Sequence, residues 1–202
     1  MIRPRVLLDV DGVLCDFLNP ALYVMNRLLG TNLALQDMKS WHLFDAWDIE
    51  VPKKVIDECY DIWKSPGWCR SLPVYPEAVE GVKKLQEIAD VFIVTSPMNG
   101  PTWTHERERW LRHHFGESMN RKCIIHTDAK YVCSGDILVD DKADHCIAWK
   151  QCHPMGQAIL WNQVTNRTVE YHGIRTDDWL EIYRVATALM HNGDRLWKHR
   201  II

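Results

Sequence analysis

No apolar run in this 202-residue chain approaches the length needed to cross a bilayer. Nor is there a basic excess. The 24 Lys and Arg stand against 27 Asp and Glu for a formal net charge of −3, a surface with little to hold a nucleic-acid polyanion. Internal repeats and low-complexity segments are missing, which excludes solenoids and linker-rich chains. A disulfide framework is missing as well. The seven cysteines (15, 59, 69, 123, 133, 146 and 152) are odd in number and scattered, several of them inside apolar runs, which suits reduced thiols in a cytoplasmic protein. Met1-Ile2-Arg3-Pro4-Arg5 carries positive charge ahead of an apolar run, as a secretion signal would. Asp9 and Asp11 interrupt that run too early for one, so the segment reads as part of the mature fold.

What is present is an ordinary globular composition, 47% hydrophobic and 25% charged, at a length suited to one core with an insertion. The run Val6-Leu7-Leu8 ends abruptly in Asp9-Val10-Asp11-Gly12, the pattern of a buried strand that delivers carboxylates to its C-terminal edge. Residues 18–29 have helical apolar spacing with Gly30 as a stop, 31–48 are irregular and aromatic-rich, and 51–63 form a second helix closed by Ser65-Pro66-Gly67. Residues 17–70 therefore read as a small helical cap inserted after the first strand, with 1–16 and 71–202 forming the core. Trp41, Phe44, Trp47 and Trp63 read as the packing residues of that cap.

Strand and helix then alternate: a helix over 76–89, a strand over 91–95, a helix over 102–115, strands over 123–126, 137–140 and 158–161, and a last helix over 177–190. Continuously apolar strands separated by helices predict an α/β fold, a three-layer Rossmann-like parallel sheet covered on both faces.

Three of these strands end in chemistry-bearing residues: Asp9 and Asp11, Thr95 and Ser96, Asp140 and Asp141. Lys130 lies in the turn between the third and fourth. The C-terminal ends of parallel strands converge along one edge, so these side chains share a crevice. Four carboxylates cannot all stay ionised close together without a cation, which implies a hard divalent metal, Mg²⁺. A metal beside a lysine and hydroxyl donors suits a phosphoryl group, with one carboxylate free to attack phosphorus.

At these residues the chain resembles the haloacid dehalogenase-like (HAD-like) phosphatase superfamily, whose four signatures occur in order: Asp9-x-Asp11-Gly12-Val13, Thr95 or Ser96 after an apolar strand, Lys130, and Asp140-Asp141. Within it, the 5'(3')-deoxyribonucleotidase family is the nearer likeness. That rests on Asp-Val-Asp-Gly-Val-Leu-Cys-Asp-Phe (9–17), Phe-Ile-Val-Thr-Ser-Pro (92–97), Trp110 with Phe115-Gly116, and Ile-Leu-Val-Asp-Asp-Lys-Ala-Asp (137–144). The likeness implies Asp9 as nucleophile and metal ligand, and Asp11 as general acid and then base, its backbone carbonyl also on the metal. Asp141 is the implied direct ligand, with Asp140 reaching the metal through water or from behind; adjacency leaves the two unseparated. Thr95 and Ser96 would bind phosphoryl oxygens, and Lys130 would neutralise both the nucleophile and the transferring group.

The same likeness implies that Phe17 and Trp68 line a nucleobase pocket, where stacking would hold a flat ligand. Packing between cap and core is the other reading of this pair. The loop from Ser96 to Trp103 departs from the family pattern, being shorter by one residue and carrying Met98-Asn99-Gly100 in place of a lysine. The expected partner is a small nucleotide, with no membrane and no stable nucleic acid, and a homodimer is compatible with the chain. A phosphatase of the same type acting on a sugar phosphate or another small phosphomonoester, and a non-catalytic binding relative, are the rival readings. His145-Cys146 and Cys152-His153 lack the spacing of a zinc knuckle, and the alternating charges of His105-Glu106-Arg107-Glu108-Arg109 read as a solvated helix face.

Overall fold

The computed structural model describes residues 3–198. Six strands form one sheet: β1 (Arg5–Leu8), β2 (Asp90–Thr95), β3 (Ile124–His126), β4 (Ile137–Asp140), β5 (Gln157–Trp161) and β6 (Ile174–Thr176). Every pairing is parallel, in the order β3-β2-β1-β4-β5-β6. The chain therefore fills one side of β1 first and then crosses to the other. That reversal between β1 and β4 opens a crevice at the strands' C-terminal ends.

Seven helices accompany the sheet: α1 (Leu18–Leu29), α2 (Lys53–Trp63), α3 (Trp68–Ser71), α4 (Pro76–Ile88), α5 (Trp103–Phe115), α6 (Ala143–Cys152) and α7 (Trp179–Lys198). Successive side chains of a strand point to opposite faces, and the core divides accordingly. Val6, Leu8, Ile93, Val139 and Ile159 pack toward α4, α5 and α7, with Leu85, Trp110 and Ile182. Leu7, Val94, Leu138 and Leu160 pack the other way, with Cys146 and Trp149 of α6. The three-layer expectation matches this arrangement.

A third cluster belongs to α1 and α2: Ala21, Leu22, Met25, Cys59 and Trp63. Gly30 ends α1 at φ +67°, the left-handed conformation that lets its N–H cap the Asn26 carbonyl. The aromatic-rich stretch between these helices holds two 3-10 turns, Leu35–Asp37 and Leu43–Asp45. The chain leaves and re-enters the main body through a paired neck, where Asp16 N–H donates to Pro73 O and Tyr75 N–H to Leu14 O, each at 2.9 Å. Phe17, Trp68 and Met98 pack against both the neighbouring core cluster and this third one.

Two differences from the sequence reading have simple causes. The three residues of β6, Ile-Arg-Thr, present no apolar run, yet they continue the sheet by pairing with β5. The last helix begins at Trp179 because the Asp178 carboxylate accepts the Leu180 N–H at 2.8 Å, and it continues to Lys198. Among the described residues no helix is long and apolar enough to cross a membrane. All seven cysteines are free thiols, five of them buried.

Candidate active site

β1 lies at the centre of the sheet, and its pairing with β4 continues one residue past its end, where Asp9 N–H donates to Val139 O at 2.9 Å. This fixes the Asp9 backbone beside Asp140 and Asp141. The Asp9 carboxylate accepts the Val10 N–H at 2.7 Å through Oδ1, and Oδ2 lies 2.8 Å from Lys130 Nζ. Lys130 opens a short 3-10 turn (Lys130–Val132), is 1% exposed, and also donates to Asp140 Oδ2 at 2.7 Å. Burial alone would drive the proton off Lys130, but Asp9 and Asp140 together raise its pKa and hold it charged.

The three acids respond differently to one buried setting. Asp140 is committed to protein partners: Lys130, the Lys142 N–H at 2.9 Å and His145 Nδ1 at 3.2 Å. Burial opposes its ionisation, yet Lys130 and His145 hold its pKa below the ordinary value. Asp9 is pushed up to about 6, first by burial and then by the Asp140 charge, with Lys130 opposing. Asp141 is raised well above the carboxylate range by burial and by the Asp140 and Asp9 charges. Oxygen atoms of Asp9, Asp140 and Asp141 lie within 4.8 Å of one another, the one such potential metal-ligand group among the described residues. Hard oxygen donors with uncompensated negative charge fit a divalent cation such as Mg²⁺.

Gly12 makes this closeness possible. Its φ is +81°, and a Cβ there would stand 2.3 Å from Asp141 Oδ2. Its carbonyl accepts from Gln163 Nε2 at 2.6 Å, and Asn166 Nδ2 holds the Asp141 carbonyl at 2.7 Å. At the end of β2, Thr95 Oγ1 is buried with no hydrogen-bond partner among the described residues, and Ser96 Oγ makes a long 3.5 Å contact to Thr127 O. An unpartnered hydroxyl beside Lys130 and the acids suits an anionic oxygen.

Asp11 has a partner the sequence reading did not assign it. Both its oxygens accept from Nη2 of Arg107, at 2.7 and 2.8 Å. Arg107 is fully buried on α5, and Asp11 keeps it charged against a desolvation that works the other way. Its neighbour Glu106, 8% exposed, accepts from Gly67 N–H at 2.7 Å, Arg70 N–H at 3.3 Å and the Thr102 hydroxyl at 2.7 Å. The expectation of a solvated face over 105–109 is therefore corrected for both residues. Trp103 and Trp110, four and three residues away on the same helix, place their rings beside the Arg107 guanidinium.

A cavity of about 580 Å³ opens above these groups. Asp9, Asp11, Thr95, Ser96, Lys130 and Asp141 form its floor, and Phe17 and Met98 stand in the wall. Asp140 lies behind the floor, fully buried. Trp68 is not at the wall; it begins α3 straight after Gly67 and packs between the two hydrophobic clusters. Three aromatics read from sequence as interior packing, Trp41, Phe44 and Trp63, stand there instead, together with Tyr60. Phe44 and Trp63 stack at 5.5 Å with an interplanar angle of 17°. Trp63 belongs at once to the α1–α2 cluster and to the cavity, a double role that apolar spacing cannot reveal. His145, also on the wall, is held by Asp140, while His153 Nε2 contacts Tyr131 O, so the four residues considered for zinc do not form one site.

A parallel sheet with an acid pair at the first strand, a hydroxyl at the second, a buried lysine and an acid pair at the fourth defines a haloacid dehalogenase-like hydrolase acting on phosphoric monoesters. The fold is shared with a haloacid dehalogenase-like family protein of Streptococcus pneumoniae, which superposes with a TM-score of 0.60 at 13% identity, over 90% of this chain and 97% of that one. Residues 3–190 match the family described as "5' nucleotidase, deoxy (Pyrimidine), cytosolic type C protein", and the chain belongs to that family. It is 30% identical over 189 residues to the mitochondrial 5'(3')-deoxyribonucleotidase of Mus musculus, covering 88% of this chain and 84% of the relative. To the cytosolic-type 5'(3')-deoxyribonucleotidase of Homo sapiens it is 28% identical over 191 residues, covering 88% and 92%.

Proposed function

We propose that the chain is a Mg²⁺-dependent 5'(3')-deoxyribonucleotidase that hydrolyses nucleoside monophosphates through an aspartyl-phosphate. The observation that carries this reading is the Asp9–Lys130–Asp140–Asp141 cluster opening into an aromatic-walled cavity. Asp9 attacks phosphorus in line with the leaving oxygen, and Asp11 delivers a proton to that oxygen as its bond to phosphorus breaks. Asp11 then takes a proton from the water that cleaves the aspartyl-phosphate. Lys130 lowers the charge repulsion between Asp9 and the incoming phosphoryl group, and Thr95 and Ser96 donate hydrogen bonds to its oxygens.

Asp9, Asp141 and the Asp11 carbonyl would hold the Mg²⁺, with Asp140 supporting them from behind. The commitment of Asp140 to Lys130 and His145 leaves Asp141 as the freer ligand. A bound Mg²⁺ supplies charge neutralisation to the phosphoryl oxygens. Residues 17–70 act as the cap, bringing Phe17, Phe44, Tyr60 and Trp63 to the distal end, where a nucleobase can stack. Trp68 supports that wall by packing. A sugar phosphate would need hydrogen-bonding groups where this cavity presents rings, so the wall favours the nucleotide. A cytoplasmic setting suits seven reduced thiols.

Phosphate release with Mg²⁺ across deoxynucleoside and nucleoside 5'-monophosphates, 3'-monophosphates and sugar phosphates tests this reading. Deoxynucleotides are expected to turn over fastest, and a preference for sugar phosphates would overturn the substrate assignment. Asp9→Asn is expected to abolish release while leaving the circular dichroism spectrum and the unfolding midpoint close to wild type.

A further inference from the structure

We propose that Arg107 is the positioning residue for the proton-transfer step, holding the Asp11 carboxyl at the cavity wall so that its proton meets the leaving oxygen. The inference rests on the hydrolytic role given to Asp11 above. Asp11 is 28% exposed in its side chain, at the lip of an open cavity, and a short side chain there would otherwise exchange rotamers. Arg107 removes that freedom. One nitrogen, Nη2, donates to both carboxylate oxygens, and the guanidinium carbon lies 5.2 Å from the Trp103 ring and 5.5 Å from the Trp110 ring. Trp110 is itself fixed by its indole N–H donating to Leu72 O at 2.7 Å.

This pair is a poor device for stability. Arg107 is fully buried, and its Nε and Nη1 have no hydrogen-bond partner among the described residues. Replacing a buried ion pair by well-packed apolar groups is often neutral or stabilising, so the arrangement is best explained by what it does for the exposed member. Proton transfer requires the acid within hydrogen-bond reach of the oxygen it serves, and rotamer exchange would break that geometry.

In the first step Asp11, a carboxylate while both its oxygens are paired with Arg107, takes up the phosphoryl proton of the monoanionic substrate; a bond forms between an Asp9 oxygen and phosphorus, the bond from phosphorus to the leaving oxygen breaks, and that proton passes from Asp11 to the leaving oxygen to give an alcohol. In the second, water adds to phosphorus, its proton passes to Asp11, and the bond from Asp9 to phosphorus breaks. A nucleoside alkoxide needs the first proton, whereas p-nitrophenolate leaves without it.

The test compares wild type, Arg107→Met and Arg107→Lys on a deoxynucleoside 5'-monophosphate and on p-nitrophenyl phosphate, with the p-nitrophenolate burst reporting phosphorylation of Asp9. For Arg107→Met, kcat on the nucleotide is expected to fall about 100-fold, the lower end of a general-acid contribution. Its KM and its p-nitrophenolate burst rate are expected to stay within about 3-fold of wild type, because binding and nucleophilic attack are untouched. Arg107→Lys restores the charge and should recover about 10-fold of the loss. Arg107→Gln replaces the Met variant if the latter does not fold. An equal fall in the nucleotide kcat and in the p-nitrophenolate burst rate, or a folded variant with an unchanged nucleotide rate, would overturn the role of Arg107 alone. A wild-type protein inactive on both substrates would instead overturn the phosphatase reading beneath it.

Discussion

Gly12 stands between the two acid pairs, and its missing side chain is where Asp141 sits. With φ at +81° and a Cβ position only 2.3 Å from Asp141 Oδ2, any larger residue meets both a backbone and a steric obstacle. Gly12→Ala should cost about 1–3 kcal/mol from the left-handed backbone alone. More important for function, it displaces Asp141. Magnesium titration calorimetry should show weakened binding, with kcat/KM falling by at least about 10-fold. Urea unfolding measures the first effect and phosphate release the second. The sequence places Gly12 in a motif, but the atom it must avoid lies 129 positions away on the loop after β4.

At the scale of the element, α5 shows how a charge run can mislead. Alternating Glu and Arg on a helix are usually solvated, and here Arg109 is exposed and Glu108 half-buried. Glu106 and Arg107 face inward because the helix lies across the neck, meeting α3 with one residue and Asp11 with the next. Glu106 satisfies two N–H groups at the start of α3, Gly67 and Arg70, that the short helix cannot pair internally. Burial works against its ionisation, but the hydrogen bonds from Thr102, Gly67 and Arg70 together lower its pKa. Its stabilisation is therefore fully present above the unfolded value of about 4.3 and is lost as pH falls through the lower folded value. Glu106→Gln should cost about 1–3 kcal/mol at pH 7, since charged hydrogen bonds are lost. In urea unfolding the gap from wild type should narrow as the pH drops below about 4.

Across the whole molecule, the sheet edge concentrates negative charge that the fold does not itself neutralise. One lysine serves Asp9 and Asp140, and among the described residues Asp141 has no cationic partner. A carboxyl whose folded pKa is raised costs no stability below its unfolded value, and its cost grows as pH rises toward the folded value. With Asp9 at about 6 and Asp141 also raised, metal-free protein should be less stable at pH 7.5 than its packing suggests. Mg²⁺ at 100 times its dissociation constant should add about 2.7 kcal/mol. For a chain of this length that corresponds to a rise in Tm of roughly 5–10 °C. Asp141→Asn should raise the metal-free Tm and abolish the Mg²⁺ shift, which paired thermal melts with and without the metal would read directly.

The continuous apolar strands, the helical periods and the residues at the strand ends are local patterns, and the sequence alone determined the parallel sheet and the residues gathered at its edge: Asp9, Asp11, Thr95, Ser96, Lys130, Asp140 and Asp141. β6 escaped because three residues carry no period, and it exists only by pairing with β5. What tertiary structure decided was which side chains meet across separate elements. Phe17 reaches the cavity and Trp68 does not, Trp63 serves core and cavity together, and Arg107 turns from an apparent surface charge into the partner of Asp11. Spacing along one helix records which residues share a face; burial and pairing depend on what is packed against that face, and that is written elsewhere in the chain.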